Sequence, residues 1–111
     1  MGIYSSSMPV AQRLEKLAKL YQQGQASDLM TQTLDKLMEY EANISREQLA
    51  EIQKDMAEFE ARYGMTSSDF YLRFQAGEAD DRMDYVEWAS LVQMAENLKH
   101  RIELLSSKSQ P

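Results

Sequence analysis

ISREQLAEIQKDMAEFEARYGMTSSDF, residues 44–70, holds the reading that decides the fold. Within it Leu49, Ile52, Met56, Phe59 and Tyr63 recur at alternating steps of three and four. That spacing is the narrow apolar seam of an α-helix, two heptads long, built to meet a neighbouring helix. Ser45 with Gln48 three residues on forms a capping box, and Ile44 ahead of it can pack on Leu49 as a hydrophobic staple. A helix is therefore expected to begin at Ser45 and to stop at Gly64. The same grammar follows at once: Thr66 is an N-cap with Asp69 three residues on, and Met65 and Phe70 stand at the staple positions.

Outward from this stretch the pattern stays helical. A short helix is expected over about 66–76, with Phe70, Tyr71 and Phe74 on nearby faces and Gly77 at its end. Asp80 or Asp81 should cap a last helix reaching Leu105, with Asp84 and Glu87 near its positive end and Lys99, His100 and Arg101 near its negative end. Trp88, Leu91, Ala95, Leu98, Ile102 and Leu105 form a second three-four seam. Upstream, a helix from Pro9 or Val10 to Gln23 carries Val10, Leu14, Leu17, Leu20 and Tyr21 on one side, and Gly24 ends it. Another starts at Ser27, carries Met30, Leu34, Leu37 and Met38, and ends or bends at Asn43 and Ile44. The expected fold is all-α: a small helical bundle of four to five helices with a long C-terminal helix. It forms a single domain over 9–105, with loose tails at 1–8 and 106–111.

Composition narrows the function. The chain has 111 residues, no Cys, one His, four Gly and two Pro. Disulfide frameworks, thiol nucleophiles, sulfur-ligated zinc and multi-histidine metal sites are excluded. No apolar run is long enough to span a membrane and no signal peptide is visible, so a cytoplasmic address is expected. The net charge of −6 is unevenly placed: residues 1–38 carry +1, residues 39–87 carry −8, and residues 88–111 carry +1. The acidic middle repels phosphate backbones and suits a basic partner. Nucleic acid is conceivable only through Arg13, Lys16 and Lys19 on the first helix.

Individual motifs add little chemistry. His100 reads as a surface ion-pair partner of Glu96, one turn earlier. Met1-Gly2 followed by Ser6 fits a myristoylation pattern without the adjoining basic cluster that stable anchoring needs. The aspartates from Asp80 to Asp84 lack the Gly and terminal Glu of a calcium loop and serve better as helix caps. One enzyme reading survives: Asp55 with Glu58, and Asp84 with Glu87, are D-x-x-E pairs that could hold Mg²⁺ against nucleotide phosphates. They resemble the acid pairs of the all-α nucleotide pyrophosphohydrolases, which use E-x-x-E and then E-x-x-D. Here both pairs begin with Asp and end with Glu, and Lys54 stands where that family has a further acid.

The run YGMTSSDFYLRFQAGEADDRMDYVEWASL, residues 63–91, resembles small acidic helical antitoxin-like proteins of prokaryotic, notably cyanobacterial, toxin–antitoxin gene pairs. The resemblance rests on Tyr63, Gly64, Met65, Thr66, Phe70, Tyr71, Phe74, Gly77, Asp81, Asp84, Tyr85, Glu87 and Trp88. It implies a partner-binding role; the expected mechanism is masking of a basic, toxin-like protein by an acidic helical surface, with no cofactor or metal expected. Phe70, Phe74 and Trp88 read as core. Tyr71, Arg73, Glu78, Asp80 and Glu87 have no structural task in the pattern and are the candidate partner contacts. Leu98, Ile102 and Leu105 extend past any internal helix of equal length, which makes them candidates for homodimer formation. A Mg²⁺-dependent hydrolase and a structural assembly adaptor are the alternatives.

Overall fold

The computed structural model describes residues 8–106. Helix α1 spans Val10–Gln22, α2 Asp28–Tyr63, α3 Ser67–Gln75 and α4 Met83–Leu105, with no strand among the described residues. The Gly2–Ser6 pattern and most of the two expected tails lie outside the described residues. The chain divides into two compact units, one ending at Leu37 and one beginning at Met38.

In the first unit, α1 begins after Pro9, which stands at its N-cap. It ends at a left-handed Gly24, with φ of 71°. There the Gln25 N–H reaches back to the Leu20 carbonyl and the Gly24 N–H to that of Tyr21, a Schellman closure of the last turn. Ser27 caps α2, its Oγ accepting from the Met30 N–H at 3.1 Å. The Tyr21 and Thr31 hydroxyls, 2.9 Å apart, link the two helices beside the turn. No residue of α1 is buried.

The second unit corrects the expected break at Asn43–Ser45. Helix α2 runs unbroken through these residues for its full 36 positions, and the chain has neither Gly nor Pro between Gln25 and Tyr63 to stop it. The polar side chains read as a cap are occupied otherwise. Asn43 Oδ1 accepts from Arg46 at 2.8 Å. Ser45 is only 1% exposed, and its Oγ accepts from Arg101 Nε at 2.9 Å. A serine that a capping box would place at a helix start is thus an interior seam position with a tertiary partner, in line with Ala42, Leu49, Ile52, Met56, Phe59 and Tyr63.

Continuity of α2 also removes the premise behind the C-terminal self-association site. The turns upstream of Ser45 provide the long partner that α4 seemed to lack. Arg101 donates to Glu41 as well as to Ser45, and Arg46 donates to Ser106 at 2.8 Å. At the opposite end Arg62 and Tyr63 meet Asp84, so α2 and α4 run antiparallel. Leu98, Ile102 and Leu105 are half-buried rather than left in water.

Helix α3 closes the corner between α2 and α4. Gly64, with φ of 66°, turns the chain out of α2. Two acceptors then satisfy the first amides of α3. Thr66 Oγ1 takes the Asp69 N–H at 3.0 Å, and Glu60 Oε2, from the last turn of α2, takes the Ser67 N–H at 2.8 Å. Phe59, Phe70, Trp88 and Ala89 form the buried centre, ringed by Met56, Tyr63, Met65, Phe74, Tyr85 and Leu91.

Two substitutions test this architecture. Arg46→Pro would sit well in the first turn after a Ser45 cap, but in a continuous helix it removes a hydrogen bond and clashes with the preceding turn. A loss of about 3 kcal/mol or more in urea unfolding is expected, whereas unchanged stability would restore the break. Ser67→Ala leaves the Trp88 indole N–H buried without its acceptor and should cost about 1–3 kcal/mol in the same measurement.

Candidate functional site

Trp88 joins the elements around the site, since its side chain contacts α2 and α3 at once. It is fully buried, and its Nε1 donates to Ser67 Oγ at 2.8 Å. Its ring stacks on Phe70 at 3.9 Å with a 3° interplanar angle, and on Phe59 at 5.6 Å. Each aromatic pair adds roughly 0.5–1.5 kcal/mol beyond its buried area. The motif residues Phe70, Phe74 and Trp88 are therefore scaffold, as their spacing indicated, and they hold α3 in place over α2 and α4.

Beside this corner lies a network of four charges and two phenols. Asp84 Oδ2 accepts from Tyr63 Oη at 2.6 Å and from Arg62 at 2.8 Å. These hydrogen bonds, Tyr63 first, hold the Asp84 carboxyl below its ordinary value and raise the Tyr63 phenol and the Arg62 guanidinium. Asp80 grips Arg82 twice by side chain, at 2.9 Å each, and accepts its backbone N–H at 3.1 Å. The Asp80 carboxyl is thereby lowered to about 2. The Arg82 guanidinium lies 4.6 Å from the Tyr85 ring centroid and 6.0 Å from that of Tyr63. Arg82 itself stands at the N-cap of α4 with no side-chain cap bond. The expected capping by Asp80 or Asp81 is thus replaced by an Asp80–Arg82 clasp just ahead of the helix.

On another side of the corner is an open cleft of about 340 Å³, lined by Met56, Ser67, Ser68, Tyr71, Leu72, Val92, Ala95, Glu96 and Lys99. Tyr71 is oriented there by Gln93, whose Nε2 donates to its hydroxyl at 2.9 Å. Glu96 is paired with Lys99 at 3.4 Å, so the expected Glu96–His100 pair gives way to a different cation on the same helix.

The candidate contacts are thus of two kinds. Tyr71 and Asp80 hold structural bonds, while Arg73, Glu78 and Glu87 are exposed, with no side-chain hydrogen bond or ion pair among the described residues. The acid pairs do not assemble into a metal site. Asp84 is committed to Arg62 and Tyr63, Asp55 and Glu58 are exposed on α2, and no cluster of three potential ligands occurs among the described residues.

A further set of residues lies along α2. Glu47, Glu51, Asp55 and Glu58 follow at steps of four, four and three, which places them along one helix face. All are exposed, and none forms an ion pair among the described residues. Arg62, one turn beyond Glu58, is drawn away to Asp84. Lys54 lies at the edge of the row. The spacing was present in the sequence, where Asp55 and Glu58 stood out only as a D-x-x-E pair.

No helix among the described residues is long and apolar enough to cross a membrane. Comparison with protein-family models, curated proteins and solved structures gives no match.

The charge network predicts an acid-sensitive corner. Asp80 and Asp84 ionise more easily folded than unfolded, so the unfolded chain binds more protons below the ordinary aspartate value of 3.8. Their stabilisation is complete above that value and is lost as pH falls towards about 2, the folded value of Asp80. Urea midpoints measured down through this window should fall less steeply for Asp84→Asn and Asp80→Asn than for the wild type. Parallel curves would mean that neither pair contributes.

Proposed function

We propose that the protein is a non-enzymatic interaction module of antitoxin-like type, which masks a basic surface of a companion protein with an acidic helical face. The observation that carries this reading is the exposed row Glu47, Glu51, Asp55 and Glu58 on α2. Like charges one turn apart weaken a helix by roughly 0.2–0.5 kcal/mol per pair. The row nonetheless forms no ion pair among the described residues, with Lys54 at its edge as the one nearby cation on its own stretch of helix. A partner bearing Lys and Arg converts that repulsion into attraction and is steered to the face from a distance. Glu78 and Glu87 are exposed acids as well, and with Arg73 and Tyr71 they are further candidate contacts. A cytoplasmic setting belongs to the same reading.

The companion to test is the product of the adjacent reading frame. It should be small and basic, should arrest growth when expressed alone, and should be neutralised by co-expression. Replacing Glu47, Glu51 and Asp55 together by Lys should lower the association rate by about tenfold or more at low salt and flatten its dependence on ionic strength, with helicity retained. An adjacent product that associates equally fast at low and high salt, and that is indifferent to the triple replacement, would contradict the proposal.

A further inference from the structure

Residues 10–37 contain two helices and no buried side chain. The apolar seam of α1, Val10, Leu14, Leu17 and Tyr21 at steps of four, three and four, is open to solvent. Val10 is 59% and Leu14 54% exposed, and Leu29 and Leu37 at the start of α2 are also exposed. Yet the turn between the helices is firmly built, with the Gly24 closure, the Ser27 cap and the Tyr21–Thr31 hydroxyl contact. The hairpin therefore presents its apolar rows already in place.

A unit this small does not bury enough surface to be stable alone. Below about 40 residues, disulfides, metals or oligomerisation are usually needed. A 13-residue helix such as α1 is likewise marginal in isolation. The chain has no Cys, and its single His lies outside this unit at His100, which leaves association. The charges indicate with what. Helix α1 carries Arg13, Lys16 and Lys19 against Glu15, while α2 as far as Leu37 carries Asp28 and Asp35 against Lys36. The two helices are thus of opposite sign, and a two-fold axis that sets α1 of one copy on α2 of another brings those signs together. The unit as a whole is close to neutral, so self-pairing meets little repulsion. A basic protein would instead meet three cations on α1.

We propose that residues 10–37 are a self-association module, in which the exposed α1 seam and the start of α2 pack on the same elements of a second copy to close a four-helix layer. The surface differs from the acidic row on α2, so the two proposals stand or fall separately.

Sedimentation velocity of the full chain tests this directly. The wild type should be dimeric at micromolar concentration, and Leu14→Glu with Leu17→Glu should be monomeric. Emission from Trp88, the only tryptophan and seated in the other unit, should remain that of a buried indole in the variant. Val10→Asp, at the most exposed position of the seam, is the milder change and should weaken the dimer about tenfold or more; it decides the matter if the double variant precipitates. The Glu47, Glu51 and Asp55 replacement should leave the dimer intact. A wild type that stays monomeric at high micromolar concentration overturns the proposal, as does a dimer indifferent to both α1 variants.

Discussion

The stacked pair of Phe70 and Trp88, with the indole N–H bound to Ser67, is the interaction on which the second unit depends. Trp88 comes from α4, while Phe70 and Ser67 come from α3, and Phe59 adds the face of α2. A large buried aromatic supplies much of the core of a small unit, and its one polar atom must find a partner there. Ser67 is that partner only because α3 begins where it does. The start is set by Gly64, by the Thr66 cap and by Glu60 reaching across from α2. Local turn chemistry and the buried hydrogen bond thus specify the same geometry.

From that corner the charges sort themselves into two populations. Asp84, Asp80 and Glu41 are bound to arginines that join elements or fix the entry to α4. The acids along the outer face of α2 are not. Arginines are the shared resource: Arg62 serves Asp84 and leaves Glu58 unneutralised, and Arg101 serves Glu41 and Ser45. What remains is a row of acids in no ion pair among the described residues, which is the physical basis for proposing a basic companion.

Much of this was legible in the sequence and some of it was misread for a definite reason. The two seams, the glycine stops at Gly64 and Gly77, the Thr66 cap and the core roles of Phe70 and Trp88 follow from periodicity and turn chemistry, which act locally. Ser45 misled because a serine followed by Gln48 has the same local signature whether it caps a helix or points into a core. Only Arg101, 56 positions away, decides between them. Asp80 likewise matches a helix cap in sequence, but Arg82 two residues on captures it. The false break at Ser45 then spread: it shortened the third helix and left Leu98, Ile102 and Leu105 without a partner of equal length. In the first unit the apolar stripe of α1 was legible from its periodicity, and in the structure that stripe is exposed.

The buried core thus lies at one aromatic corner, and the N-terminal hairpin has no buried residue of its own among those described. Hydrogen exchange at high dilution tests that claim most directly. Amides of α3 and of the α2 and α4 turns flanking Trp88, together with its indole N–H, should exchange last and only through global opening, while the amides of α1 should be close to unprotected. Protection of α1 equal to that of the Trp88 corner in dilute monomer would contradict the account.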